Sequence, residues 1–186
     1  MVRYIIYYFS ENVKKGELKM HSKIKKIVIA ALMTALVCVA TMIIKIPSPM
    51  KGYINLGDCM VLVAAWLLSP VYAFLAAGLG SALADLFSGY VIYAPATFVI
   101  KGLMAPVAFA CFKLMNKKIG KLPSLIVGGV LAELLMVSGY FLFEGFLYGF
   151  APALVNIPAN LAQGVAGIVI GIILIKILER TKINLL

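Results

Sequence analysis

The sequence predicts an all-α integral membrane protein, folded as a compact bundle of six transmembrane helices. Hydrophobic residues make up 63% of the chain and charged residues 13%, whereas a soluble domain has roughly 45–50% and about 25%. A soluble domain of 186 residues must cover its surface with polar atoms, and this composition does not supply them. The apolar residues also form separate runs close to the length of about 20 residues that a bilayer requires.

Proline, glycine and lysine residues divide the apolar sequence into six runs. The first run ends at Lys45 and the Pro47-Ser48-Pro49 segment, and Ser69-Pro70 separates the second run from the third. The predicted spans are residues 27–44, 53–68, 71–87, 92–112, 124–146 and 153–178. They form a membrane domain of residues 23–179, flanked by a cytoplasmic N-terminal segment, 1–22, and a cytoplasmic tail, 180–186.

The N-terminal segment has none of the features of a signal peptide, which are a charged start, an apolar run and a small-residue cleavage site. Residues 14–17 could be encoded by a purine-rich ribosome-binding stretch just before Met20. We therefore expect that Met20 is the true translation start.

The basic residues indicate how the spans are oriented. The chain has seventeen Lys and Arg and seven Asp and Glu, a net charge of +10. A nucleic-acid-binding protein gathers its basic residues on one face, whereas these lie in blocks between apolar runs. With the N-terminus inside, fourteen of them fall in inner segments and only Lys45 and Lys51 in outer ones. The positive-inside rule therefore predicts that both termini are cytoplasmic.

Polar side chains within the predicted spans are concentrated toward their outer ends. In the fourth span, Tyr93, Thr97 and Lys101 follow at intervals of four residues and share one face. Lys101 lies nine residues into the span, a depth of roughly 13 Å and thus near mid-membrane. Because ionisable groups inside a membrane are usually functional, these residues predict an outward-facing binding pocket. Its candidate residues are Asn55, Asp58, Asp85, Tyr93, Thr97, Lys101, Glu133, Tyr140, Asn156, Asn160 and Gln163.

A structural interpretation of the charged candidates remains open. Lys101 and Glu133 could form an ion pair that only joins the fourth and fifth spans, and Asp85 could cap a helix end. From the sequence alone, structural support and ligand contact are equally good accounts of any single one of these residues.

An intramembrane hydrolase is the enzymatic alternative, and a proton-coupled transporter or channel is a third class. The only histidine precedes the first span, which excludes a His-dependent dyad or metal site within the membrane. A pair of Lys101 with Ser81 or Ser88 is conceivable. So is an aspartyl pair of Asp58 with Asp85, although neither lies in a recognisable motif. No nucleotide-binding loop is found, so any ATP must be hydrolysed by another chain.

The first span carries a ridge of small residues with the spacing Ala31-x-x-x-Ala35. Such a ridge lets a second helix approach closely, either within the same chain or in a partner. The spacing alone does not decide between these two uses.

Several motifs together resemble one family of membrane proteins. They are Tyr53-Ile-Asn-Leu-Gly-Asp58, Ala65-Trp-Leu-Leu-Ser-Pro70, Gly80-Ser-Ala-Leu-Ala-Asp85, Gly89-Tyr90, Tyr93-Ala-Pro-Ala-Thr-Phe98 and Lys101-Gly102. Over residues 22–178 the chain resembles the substrate-binding subunits of energy-coupling factor (ECF) transporters. Within that family it is most similar to the branch assigned to hydroxymethylpyrimidine or pyridoxine, and the pantothenate and riboflavin branches are near relatives.

The resemblance implies a function in vitamin uptake at a bacterial cell membrane. Such subunits capture a micronutrient in an outward-facing pocket formed by helices four to six and the loop after helix one, and they topple in the membrane to release it. The implied partners are a transmembrane coupling protein, which contacts Ala31 and Ala35, and two cytosolic ATPases that hold ATP and Mg²⁺. The chain itself is then expected to be no enzyme and to hold neither cofactor nor metal.

Overall fold

A computed structural model describes residues 2–48 and 52–180, with side chains from residue 23 onward. Lys51, counted above with the outer segments, and the end of the predicted tail, 181–186, lie outside the described residues. The elements in chain order are α1 (Val2–Ile43), β1 (Lys45–Pro47), β2 (Tyr53–Asn55), α2 (Gly57–Leu67), α3 (Pro70–Phe87), α4 (Ala94–Ile119), α5 (Lys121–Tyr148), α6 (Phe150–Ala153), a 3-10 turn (Leu154–Asn156) and α7 (Ile157–Arg180).

Five helical segments in the described part of the chain are long and apolar enough to cross a membrane. They are Lys23–Ile43 within α1, Pro70–Phe87, Ala94–Ile119, Lys121–Tyr148 and the continuous segment Phe150–Arg180. Many large apolar side chains on these helices point outward, as lipid contact requires. The prediction of a helical, multi-pass membrane protein is confirmed.

The second predicted span is wrong in its extent. Helix α2 has only 11 residues, a length of about 16 Å, whereas the hydrocarbon core is about 30 Å thick. The first residues of the predicted span instead form β2, which pairs antiparallel with β1. The side chain of Asn55 ends this strand by accepting a hydrogen bond from the backbone of Gly57 at 2.8 Å, and such a turn starts a helix. The described residues therefore form five long helices and one short one. Because Tyr53 and Lys45 of the hairpin contact the end of α3, β2 and α2 together make the second passage, from the hairpin end of the bundle to the end where α3 begins.

Helix α2 forms the centre of the bundle. Its side chains Val61, Leu62 and Ala64 are fully buried, and it packs against α1, α3, α4 and α7. Glycines make these close approaches possible: a Cβ on Gly167 would lie 2.8 Å from the Asp58 Cβ. The buried side chains of α2 thus form the hydrophobic core of the bundle, and α2 is surrounded by other helices rather than by lipid.

The connection between α5 and α7 is bent rather than straight. Helix α5 ends at Gly149, whose φ of 94° is a conformation that glycine adopts without strain. Two short elements, α6 and the 3-10 turn, follow before α7 begins. The bend turns Asn156 into the bundle, where its side chain is buried.

The orientation predicted from the basic residues can be tested at two positions that the fold exposes. Val91, in the turn between α3 and α4, is 62% exposed, and Lys118, near the far end of α4, is exposed as well. In a variant without the three native cysteines, Val91→Cys should react with an impermeant thiol reagent in intact cells. Lys118→Cys should react only after permeabilisation. Labelling of Lys118→Cys in intact cells would contradict the orientation.

Candidate functional site

A polar cleft opens at the end of the bundle where α3 and α5 finish and α4 and α7 begin. Its empty volume, including the open mouth, is about 430 Å³. Part of this volume lies in the open mouth, so the cleft is a candidate binding site because of its polar lining and not because of its size. It is lined by Ser48, Gly52, Tyr53, Asn55, Asp85, Tyr90, Tyr93, Thr97, Tyr140, Glu144, Asn156, Asn160 and Gln163.

The hairpin and the end of α3 form one wall. The Tyr53 hydroxyl donates to Asp85 Oδ1 at 2.6 Å. Burial and the neighbouring Asp85 charge raise the pKa of the Tyr53 phenol above its usual value near 10, so this hydroxyl stays a donor. Asp85 is 5% exposed, and its other oxygen, Oδ2, has no hydrogen-bond partner among the described residues. This wall therefore presents a buried acceptor to the cleft.

The opposite wall comes from α4 and α5. The hydroxyls of Thr97 and Tyr140 lie 3.0 Å apart and share a hydrogen bond. The Tyr93 hydroxyl lies 3.5 Å from Glu144 Oε1, at the limit of a hydrogen bond. Burial, and after it the Glu144 charge, raises the pKa of Tyr93, which keeps this phenol neutral too.

Aromatic rings line the mouth between these walls. The ring centroids of Tyr53 and Tyr90 are 4.8 Å apart, and those of Tyr90 and Tyr93 are 6.2 Å apart. Phe143 packs edge-on against Tyr93 at 5.3 Å. Such a row offers π faces to a flat ligand while the hydroxyls supply polar contacts.

A chain of hydrogen bonds joins the hairpin loop to α5 at the mouth. The Ser48 hydroxyl donates to the side-chain oxygen Oδ1 of Asn156, and Nδ2 of the same side chain donates to Glu144 Oε2 at 2.9 Å. Lys45, at the start of β1, donates to Ser88 at 3.0 Å and so ties the hairpin to the end of α3. The hairpin is therefore held over the cleft from both sides.

A layer of buried charge lies beneath the cleft. Lys101 of α4 forms an ion pair with Asp58 of α2, and the two side chains are 3% and 0% exposed. Gln163 of α7 donates to Asp58 Oδ2 at 2.6 Å and accepts from the Asn55 backbone N–H at 2.8 Å. Since Gln163 also lines the cleft, it connects the ligand space to the buried pair.

The structure brings together most of the residues that the sequence singled out. Eight of the eleven line the cleft: Asn55, Asp85, Tyr93, Thr97, Tyr140, Asn156, Asn160 and Gln163. Asp58, Lys101 and Glu133 instead lie outside its lining. The ion pair between Lys101 and Glu133, which the sequence left open as a structural alternative, is not formed among the described residues, because α2 brings Asp58 against Lys101.

Five lining residues were not among the candidates: Ser48, Gly52, Tyr53, Tyr90 and Glu144. Glu144 could have been found, since it follows Glu133 by eleven residues and so shares its helical face. Ser48 and Gly52 carry no such signal, because only the pairing of β1 with β2 places their loop at the mouth.

The geometry does not support the hydrolase alternatives. Among the described residues, Lys101 forms an ion pair only with Asp58. Ser88 accepts a hydrogen bond from Lys45, and the Ser81 hydroxyl has no hydrogen-bond partner in the described part of the chain. Asp58 and Asp85 bond to different residues rather than to each other. Neither a Ser–Lys nor an aspartyl arrangement is present among these residues.

Comparison with known proteins gives consistent results. A model of the family described as ECF-type riboflavin transporter, S component, matches residues 21–180. An uncharacterized protein of Pyrococcus woesei is 38% identical over 136 residues, covering 73% of this chain and 88% of that protein. The thiamine precursor transporter HmpT of Lactococcus lactis subsp. cremoris is 28% identical over 166 residues, covering 88% and 93%.

One solved structure, the S component of a bacterial ECF transporter, shares the fold with a TM-score of 0.66. The match covers 87% of this chain and 99% of that one, at 22% identity. It shows that the arrangement of helices described above is that of the solved protein.

The buried ion pair leads to a prediction about stability. Changing Asp58 to Asn or Lys101 to Met should each lower the free energy of unfolding by about 3–5 kcal/mol, because the partner charge stays buried alone. The double variant should lose less than the sum of the two. Denaturant unfolding in detergent measures this, with Glu179→Gln, from the exposed pair with Lys121, as a control that changes by about 0–1 kcal/mol. Strictly additive losses would show that the two residues do not support each other.

Proposed function

The chain belongs to the family of S components of ECF transporters, and on this premise we propose that it captures a small water-soluble vitamin or precursor for an ATP-driven importer. Membership of the family confirms the resemblance noted in the sequence and makes the chain a membrane-embedded transport subunit rather than an enzyme. The proposal concerns which ligand occupies the cleft, how the chain is oriented and which proteins complete the importer.

The position of the cleft relative to the basic loop supports the proposed orientation. The cleft lies at the end of the bundle where α4 begins, whereas Lys117 and Lys118 lie in the last turn of α4. If the basic residues remain in the cytoplasm, the cleft faces the outside and both termini face the cytoplasm. A ligand can then be captured before it crosses the membrane.

The unpartnered Asp85 oxygen carries the proposal for the ligand. It needs a hydrogen-bond donor, and burial without one is unfavourable. Glu144 is a second carboxyl in the lining, and the described lining residues include no Lys, Arg or His. A neutral or cationic aromatic ring with N–H or O–H donors fits this cleft, because Tyr90 and Tyr93 can pack against it.

Hydroxymethylpyrimidine and pyridoxine have this chemistry, since each is a small nitrogen heterocycle that carries donor groups. The relative HmpT is named as a thiamine precursor transporter, and this agrees with the pyrimidine as ligand. Pantothenate fits less well, because its carboxylate would face Asp85 and Glu144 while Lys101 is held by Asp58. Riboflavin is the second candidate, since the matching family model bears its name.

The proposed partners are a transmembrane coupling protein and two cytosolic ATPases, which would hold the ATP and Mg²⁺. The surface of α1 supports a helical partner in the membrane. Ala31 and Ala35 are both exposed, so their small-residue ridge is not used for packing within the described part of this chain. A second helix can approach α1 closely along this ridge.

Isothermal titration calorimetry with the purified chain tests which ligand the cleft binds. Hydroxymethylpyrimidine or pyridoxine should bind at least about tenfold more tightly than pantothenate, and Asp85→Asn should weaken that binding by about 1–3 kcal/mol. Glu179→Gln, at the opposite end of the bundle, should bind like the unchanged protein. Preferential binding of pantothenate, with Asp85→Asn unaffected, would refute this assignment, and preferential binding of riboflavin would favour the second candidate.

Coupling to the importer can be tested on the exposed ridge. Ala35→Trp should abolish vitamin uptake in cells while calorimetry in detergent shows unchanged binding, because the residue is outward-facing and does not line the cleft. Val130→Trp, at a position of α5 that is 41% exposed, is the matched control and should keep both uptake and binding. Equal uptake by the two variants would remove the ridge from the proposed interface.

A further inference from the structure

Glu133 of α5 is a buried carboxyl that the proposed capture of a vitamin does not use. Its side chain is 5% exposed, it is absent from the lining of the cleft, and neither of its oxygens has a hydrogen-bond partner among the described residues. An ionised carboxylate in a membrane interior is strongly unfavourable unless it is paired. A carboxyl at this position therefore requires either a counter-ion or a bound proton.

The neighbouring groups leave no partner for a charged Glu133. Across from it lies Asp58 of α2, whose two oxygens bond to Lys101 and Gln163. Cys59, also on α2, donates its thiol to a backbone oxygen at 2.9 Å. The facing part of α7 consists of two glycines, Gly164 and Gly167. Lys101 is thus the one cation near this group in the described structure, and Asp58 already holds it.

The packing around Glu133 is too close for a metal ion. A Cβ on Gly164 would lie 3.1 Å from Glu133 Oε2, and a Cβ on Gly167 would lie 3.1 Å from Oε1. A hard cation needs about six oxygen ligands around it, and the described residues contain no cluster of three metal-ligating side chains. A proton is the one cation small enough for this position.

We propose that Glu133 is a buried proton-binding site, with its carboxyl group protonated in the folded protein and its O–H directed toward the Asp58 carboxylate. A Cβ on Gly167 would lie 2.8 Å from the Asp58 Cβ and 3.1 Å from Glu133 Oε1, so the two side chains adjoin the same point on α7. With the proton in place, the layer beneath the cleft holds one positive and one negative charge, on Lys101 and Asp58. The layer is then neutral, as burial in a membrane favours.

Infrared spectroscopy of the intact protein in detergent at neutral pH tests the protonation directly. We expect a carbonyl band of a protonated carboxyl that shifts when the protein is labelled with ¹³C-glutamate. The band should be absent in Glu133→Gln and retained in Glu144→Gln and Asp85→Asn, which remove the carboxyls of the cleft. The proposal is overturned if no band shifts with the label, or if the shifting band survives in Glu133→Gln.

A second measurement does not depend on how well the Glu133→Gln variant folds, since it uses labelled protein in which Glu133 is intact. Besides Glu133, the chain has Glu11, Glu17, Glu144 and Glu179. A ¹³C-shifted band that remains in Glu144→Gln and also in Glu179→Gln supports Glu133 as the proton holder. Loss of the band in Glu144→Gln assigns the proton to the cleft instead and overturns the proposal.

The proton also predicts a pH dependence of stability. The unfolded chain releases this proton above about pH 4.3, where a free glutamate ionises, while the folded protein keeps it. Stability of the unchanged protein should therefore fall as the pH rises from about 5 to about 8, by up to about tenfold in the folding equilibrium constant per pH unit. Glu133→Gln should lack this component, because its amide can donate to Asp58 at every pH. An identical pH dependence of the two proteins would overturn the proposal.

Discussion

The ion pair of Asp58 with Lys101 joins the short central helix to α4 inside the membrane, and the other elements are arranged around it. Asp58 stands in the first turn of α2 because the hairpin ends at Asn55 and the helix starts at Gly57. Gln163 of α7 completes the arrangement by bonding to both the Asp58 carboxylate and the Asn55 backbone. One buried carboxylate thereby fixes the hairpin, α2, α4 and α7 relative to one another. A charge pair this deep is unfavourable unless its geometry is satisfied, so alternative packings of these elements are disfavoured.

The same arrangement separates two kinds of polar group that lie close together in the sequence. Groups above Gln163 are hydroxyls, amides and carboxyls open to the cleft, and they include the unpartnered Asp85 oxygen. The ion pair below it is fully enclosed. Under the proposed function, capture of a ligand depends on the upper set, and the lower pair supports the floor of the cleft. Because Gln163 contacts both, a ligand that bonds to its amide also acts on the buried pair.

The sequence predicted the membrane class and most of the cleft because both follow from local patterns. Runs of apolar residues predicted six spans, five of which are long helices in the structure, and polar residues at one end of several spans must meet when the spans pack side by side. The length of α2 could not be predicted, since a short apolar run looks alike whether lipid or other helices surround it. The partner of Lys101 could not be predicted either. Asp58 and Glu133 are both carboxyls at a similar depth, and only the packing of α2 against α4 decides between them.

The shortness of α2 has a consequence for biogenesis. An 11-residue helix is too short to span the hydrocarbon core by itself, so the second passage of the chain, made by β2 and α2, lacks the apolar length that holds a helix in lipid. The Asp58 carboxylate within it would also oppose entry into hydrocarbon before Lys101 has been synthesised. We therefore expect α2 to reach its final position only after α4 has been inserted, when Lys101 can pair with Asp58. The stable insertion of α2 would then depend on a helix that follows it in the chain and not on its own sequence alone.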